Sequence, residues 1–398
     1  MPTVQSETDP LQQTVSSRRF GETRASVYLD GVRASAAGSV LLEHWRNIFF
    51  VDYAQIVSHR RLCALPYVVC GVGHQLVVIF FVLSGYLIAG SMVRMLRQER
   101  WSWRVYGLQR LTRLWIVLLP GLVLTAGWDW LGMHWQRAAA VAIYGGVSGD
   151  HVVGNVRLAS GLTTWLGNAA FLQTVYVPVF GSDSALWSLS NEFWYYLLFP
   201  LGLLAIWRRV GVTRRAVYAG MFLAVAWFCR SAVLAAFPVW LCGVVLVWLP
   251  VRPLRGAQRA LGAVGYVAVL YASLKFWPFS EPVGDWVFGA VTAGFLWSLL
   301  SAREDAEERS ASTRFVRMAA RMSFTLYVVH TPLLALLAGL ILGAERWQPD
   351  GIHLVFGAGI LGLVVAFSWL LAWATEFRTD QVRGAIERRA GWSAVTKT

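Results

Sequence analysis

Arg33 and His44 are separated by ten residues inside the weakly apolar segment YLDGVRASAAGSVLLEHW. Eleven steps of about 100° each bring both side chains back to almost the same helix face, about 16 Å apart along the axis. If the segment crosses a membrane, that face carries a permanent cation near one end and a titratable imidazole about halfway across. Ionisable groups at such depth are costly and are functional candidates by default. An imidazole titrating near neutrality can act as acid, base or nucleophile. A guanidinium is a fork for an anion. Asp30 can cap this helix or pair with Arg33 three residues on. The plainer alternative is that Arg33 snorkels to the interface and His44 bonds a neighbouring helix.

Other segments carry chemistry-bearing residues in apolar surroundings. Glu192, within ALWSLSNEFWYYLLFP, is a carboxylate in an aromatic run, expensive unless partnered, and His44 or an arginine is its expected partner. Ser188 and Ser190 beside it read as packing hydroxyls. Ser84-Gly85 in FFVLSGYLI reads first as a close helix approach, because local sequence supplies no base to activate Ser84 as a nucleophile. Arg104, Arg110 and Arg113 form a basic cluster, with the last two three residues apart on one face and suited to phosphate. SFTLYVVHTP holds Ser323, Tyr327 and His330, and Tyr327 and His330 share a face that can line a polar cavity.

These residues need apolar elements to hold them. The chain has 398 residues, 57% of them hydrophobic and only 14% charged, and a mean hydropathy of +0.52. Soluble domains carry about 25% charge, so the composition is that of a polytopic membrane protein. Many of the 21 tryptophans lie at the ends of apolar runs, such as Trp101, Trp128, Trp207 and Trp248, as an interfacial belt requires. The net charge of +13 comes almost wholly from arginine, since Lys275 and Lys397 are the only lysines. In a membrane protein this basicity reads first as positive-inside topology and not as nucleic-acid binding. The four cysteines, Cys63, Cys70, Cys229 and Cys242, form no CxxC and no metal-ligand spacing, and no metal is expected.

The apolar runs predict an all-α bundle of about ten transmembrane helices, near 32–52, 72–93, 112–130, 185–207, 214–229, 231–250, 258–275, 284–301, 320–342 and 352–374. The connection 131–184 holds shorter apolar stretches near 137–146 and 161–177 that fit surface or re-entrant helices. Residues 1–28 are polar and lack an apolar core for a cleavable signal, so they read as a flexible cytoplasmic tail, with a second tail at 377–398. With both termini inside, about 27 of the 35 Lys and Arg face the cytoplasm. The arrangement is therefore N-in and C-in. No internal repeat is evident. The HxxxxD box, the GxSxG elbow, the Walker A loop and HExxH are all absent.

In combination, LDGVR…H (Asp30, Gly31, Arg33, His44), IFFVLSGYLI, RLTR (Arg110, Arg113), LWSLSNEFWYYLLFP and SFTLYVVHTP resemble the acyltransferase-3 family of bacterial membrane O-acyltransferases, over about residues 28–376. Where that family often has an acid just before the second motif, this chain has Val77-Val78, so no carboxylate role is assigned there. The resemblance implies transfer of an acyl group, expected to be acetyl, from cytoplasmic acyl-CoA to a hydroxyl of a sugar-containing acceptor such as a surface polysaccharide or its precursor. It implies residence in a bacterial inner membrane among membrane lipids, with no nucleic-acid partner. On this reading His44 is base or transient acyl carrier, Glu192 orients or charges it, and Arg33 anchors the thioester end. Arg104, Arg110 and Arg113 hold the CoA phosphates, while Ser84, Tyr327 and His330 line the cavity. A transporter or flippase using Arg33, His44 and Glu192 as a substrate or proton path is the competing expectation.

Overall fold

Inside hydrocarbon a chain has no water to satisfy its backbone, and a helix satisfies its own N–H and C=O groups. The apolar runs accordingly form helices. The structure is a computed structural model that describes residues 23–135, 137–145, 153–276, 279–302, 310–343 and 345–391. The α-helices among the described residues are α1 (Arg24–Phe49), α2 (Arg60–Val69), α3 (Gly73–Arg97), α4 (Trp103–His134), α5 (Ala138–Gly145), α6 (Val156–Ala159), α7 (Leu162–Ala169), α8 (Leu186–Ile206), α9 (Val212–Val245), α10 (Gly256–Phe276), α11 (Val283–Leu300), α12 (Ala311–Ile341), α13 (Gly351–Ala374) and α14 (Thr379–Arg389). No strand forms among the described residues beyond isolated bridges.

The molecule is an all-α membrane bundle, and every one of the ten expected spans overlaps a helix. By length and composition five segments can cross a membrane, Arg60–Arg97, Trp103–His134, Val283–Leu300, Ala311–Ile341 and Gly351–Arg389, or six with the bent α9. Helices α1, α8 and α10 fall outside this set; Arg33, Glu43, His44 and Arg46 dilute the first, Asn191 and Glu192 the second. The first helix starts at Arg24, capped by the Thr23 side chain, so it takes in residues 24–28 of the expected tail. At the other terminus, 379–389 is the helix α14. Residues 1–22 and 392–398 of the expected tails lie outside the described residues.

Helices α1 and α12 run side by side in the same direction. They are clasped at the end remote from Arg33, where the Trp347 N–H donates to the Phe49 carbonyl at 2.7 Å and the Val51 N–H to the Trp347 carbonyl at 3.0 Å. An Arg346–Asp52 ion pair at 2.9 Å closes the same corner. Helix α9 turns through 119° at Arg230, which has φ 60° and ψ −173°. Its guanidinium lies over the Tyr176 ring at 4.9 Å. The second arm of α9 lies against α3 with backbones almost touching. A methyl group on Gly85 would run into the Trp240 carbonyl, and one on Gly243 into the Val82 carbonyl.

The segment before α8 is pinned from three sides. Asp129 of α4 accepts from the Ser182 hydroxyl at 2.5 Å and the Ser182 N–H at 2.8 Å. Asn168 accepts from the Phe180 N–H at 3.1 Å and donates to the Thr164 and Pro178 carbonyls, both at 2.9 Å. Gln173 donates to the Leu186 carbonyl at 3.0 Å. These bonds fix where α8 begins, and so where Glu192 sits.

The glycine contacts generate a prediction. Gly85→Ala and Gly243→Ala must push α3 and α9 apart, at a cost of about 1–3 kcal/mol each. Thermal unfolding in detergent should move to lower temperature for both variants. Melting temperatures equal to wild type would mean that the contact is not held in the membrane-extracted protein.

Candidate active site

The polar residues of the bundle converge on two joined spaces. One is a cavity of about 290 Å³ in the bundle interior. Arg33 reaches it from α1, Ser84 from α3, Arg110 and Arg113 from α4, Glu192 from α8 and Tyr327 from α12. Glu192 accepts from the Ser84 hydroxyl at 2.9 Å and, by a short bond, from the Tyr196 hydroxyl one helical turn along α8. The Arg110 guanidinium lies over the rings of Tyr106 and Tyr196, 5.4 and 5.8 Å from their centres. Ser188, two turns before Tyr196, shares a 2.7 Å hydrogen bond with the Tyr327 hydroxyl. Ser188 thus lines the cavity, while Ser190 donates to the Phe171 carbonyl at 2.8 Å and has the packing role expected of it.

The second space is a polar vestibule of about 380 Å³ at the arginine end. It shares Arg33, Arg110 and Arg113 with the interior cavity and adds Arg321, Arg383 and Glu376. Arg33 meets Asp30 at 3.5 Å, as its spacing implied, but its Nε and that of Arg110 have no hydrogen-bond partner among the described residues. Unsatisfied N–H groups of buried guanidinium forks suit an arriving anion. Arg104 is exposed and lines neither space, so it departs from the cluster expected of it.

His44 is half-buried and lines neither space. Its ring meets that of His330 edge to edge, with ring centres 4.9 Å apart and planes 9° from parallel. His44 Nδ1 and His330 Nε2 are 2.8 Å apart. Neutral tautomers follow from the surroundings. His330 Nδ1 sits 3.0 Å from the Leu326 carbonyl and 2.8 Å from the Tyr327 carbonyl, which only an N–H can satisfy. Its Nε2 must then accept, so His44 donates from Nδ1 and keeps a lone pair on Nε2. The Thr331 hydroxyl lies 3.3 Å from both inner nitrogens. The expected pairing of Glu192 with His44 does not form among the described contacts. Glu192 projects from α8 onto α3, whereas His44 faces α12, which runs alongside α1. The connection between cavity and imidazoles is Tyr327, whose ring centre is 5.9 Å from that of His330.

Several site residues escaped the reading of the sequence. Tyr196 had a usable signal, since it lies four residues from Glu192. Arg321, Glu376 and Arg383 lie outside the recognised motifs. Only the folding of the segment after α13 back under α4 brings Glu376 and Arg383 to the vestibule. Glu376 accepts from the Thr325 N–H at 3.0 Å and hydroxyl at 2.8 Å, which anchors that return.

A helical membrane bundle with an arginine-walled vestibule leading to an interior carboxylate and a nearby imidazole pair has the parts of a group-transfer enzyme for an anionic donor. The sequence model of a family described as an acyltransferase domain matches residues 26–373, nearly the whole chain. The chain belongs to this acyltransferase-3 family and is a membrane acyltransferase. No curated protein and no solved structure matches it.

The imidazole pair can be probed by its tautomers. His330→Leu removes the acceptor that holds His44, and transfer should fall by about tenfold to a hundredfold with a displaced pH–rate profile. His330→Gln, whose carbonyl can replace Nε2 as acceptor, should recover part of the rate. Equal rates and profiles in all three proteins would remove the pair from the reaction.

Proposed function

We propose that the protein moves an acyl group, acetyl in the simplest case, from cytoplasmic acyl-CoA to a hydroxyl of a sugar-containing acceptor in a bacterial inner membrane. The observation that carries this reading is that Arg33, Arg110 and Arg113 border both the vestibule and the interior cavity. A CoA thioester is a polyanion at one end and a neutral, reactive acyl group at the other. The vestibule suits the first end, and the interior cavity, mostly apolar with Glu192 and Tyr327 in its wall, suits the second. Positive-inside topology supports a cytoplasmic vestibule.

In the reaction we propose, His44 Nε2 takes the proton of the acceptor hydroxyl as its oxygen attacks the thioester carbonyl. The C–S bond breaks, and the imidazolium returns the proton to the departing CoA thiolate. His330 holds the His44 ring in the required tautomer. Glu192, held by Ser84 and Tyr196, lines the same cavity as Arg33 and Arg110 and so acts on the arginines and not on His44. A carrier using the same polar residues would leave the thioester intact, so consumption of labelled acetyl-CoA separates the two readings.

His44→Ala should lower acyl transfer by about 10²–10⁴-fold while the protein still inserts and binds donor. Substantial transfer by the purified variant excludes His44 as base. Glu192→Gln should cut turnover strongly, and an unchanged rate would reduce Glu192 to packing.

Arg110→Ala should weaken acetyl-CoA binding about tenfold or more, because the side chain is half-buried. Arg113→Ala should cost less, because an exposed charge is screened. Arg104→Ala is the control and should leave affinity unchanged, since it borders neither space. Calorimetry in detergent at two salt concentrations reads all three. Equal affinities throughout would mean that these arginines serve topology alone.

A further inference from the structure

A third cavity, of about 290 Å³, lies at the end of the bundle remote from the vestibule. It is walled by the starts of α3, α8 and α11. Its polar lining is His74, Thr174, Asn191, Glu281 and Asp285, with the indole of Trp187 beside them. His74 Nε2 and Asp285 Oδ1 are 2.8 Å apart, and Glu281 lies 4.0 Å from the same nitrogen. Asn191 is only 3% exposed, and its Oδ1 has no hydrogen-bond partner among the described residues. Leaving a buried amide oxygen unpaired costs about 1–3 kcal/mol, so the group calls for a donor from a ligand.

Val77 and Phe81, one helical turn apart on α3, border both this cavity and the interior one. On α8 the consecutive residues Asn191 and Glu192 face the two spaces from either side of the same wall. A hydroxyl held at Asn191 therefore lies against the partition beyond which Glu192 and Tyr327 stand.

We propose that this cavity binds the acceptor, and that the acceptor's bound part is an uncharged, polyhydroxylated sugar ring. The inference rests on the acyl-transfer reading above. Carboxylates, an imidazole and an amide accept or donate to hydroxyl groups in pairs. The Trp187 ring offers an apolar face to sugar C–H groups. Asp285 and Glu281 repel phosphates and acidic sugars, which selects a neutral ring over an anionic one.

The test compares cells expressing wild type, Asn191→Leu, Asp285→Asn and Thr174→Val, with acylation of their released surface glycans read by mass spectrometry. Acetyl-CoA affinity of each purified protein is measured alongside. Asn191→Leu and Asp285→Asn should lower acylation tenfold or more, with acetyl-CoA affinity within about twofold of wild type. Thr174→Val, an isosteric change at an exposed position, should lower it about threefold without touching the packed interior. Acylation at wild-type level in all three variants overturns the proposal. Parallel loss of acetyl-CoA affinity in Asn191→Leu and Asp285→Asn, with Thr174→Val at wild-type level, also overturns it, because the residues would then serve the fold. If wild type itself adds no acyl group, the transfer reading is what fails. Acylation confined to acidic sugar residues would overturn the assignment of a neutral ring.

Discussion

A polar side chain placed in hydrocarbon has no water to turn to, and it is tolerated only against another polar group or a space it can line. That constraint organises this bundle. Arg33, Ser84, Arg110, Glu192, Tyr196 and Tyr327 come from five helices, and all turn toward one interior cavity. Pairing is incomplete where a ligand can complete it. The Nε atoms of Arg33 and Arg110 and the Oδ1 of Asn191 lack partners among the described residues, whereas Glu192, His330 and Asp129 are bonded. The bonded groups form the frame around these spaces.

The frame holds because helices approach closely where glycine permits. Gly85 is next to Ser84, so the contact that presses α3 onto α9 also sets the height at which the Ser84 hydroxyl meets Glu192. Likewise the clasp at Phe49, Val51 and Trp347 fixes the register of α1 against α12, and that register brings two imidazoles edge to edge. A one-residue slip would rotate His44 by about 100° and break the pair. Packing and chemistry are therefore set by the same contacts.

Much of this was legible in the sequence. The Arg33–His44 spacing, the Arg110–Arg113 face and the Ser188-to-Glu192 run depend on helix periodicity, which a sequence displays directly. Partners across helices are another matter. Glu192 could be recognised as needing a partner, but choosing Ser84 and Tyr196 over His44 requires knowing that α8 faces α3 while α1 faces α12. Arg104 looked equivalent to Arg110 and Arg113, yet it lies six residues from Arg110, a rotation of about 600°, and projects to a different face. The vestibule's floor was hidden for a similar reason. Arg383 reads as part of a charged tail, and Glu376 as the last residue before it, until the chain folds back under α4.

The three spaces also constrain the order in which a donor and an acceptor can meet. Helix α3 is 25 residues long, about 37 Å, with His74 at one end and Arg97 at the other. Arg33, Arg110 and Arg113 cluster toward the Arg97 end, and His74, Asn191 and Asp285 at the His74 end. Val77 and Phe81 stand between the interior cavity and the remote one. Both are apolar side chains, and their rotation is one motion that would join the two spaces. Such rotation leaves the bonded frame around Glu192 and His330 undisturbed. In the proposed reaction, an apolar partition would also keep water from the thioester until an acceptor displaces it, which favours transfer over hydrolysis.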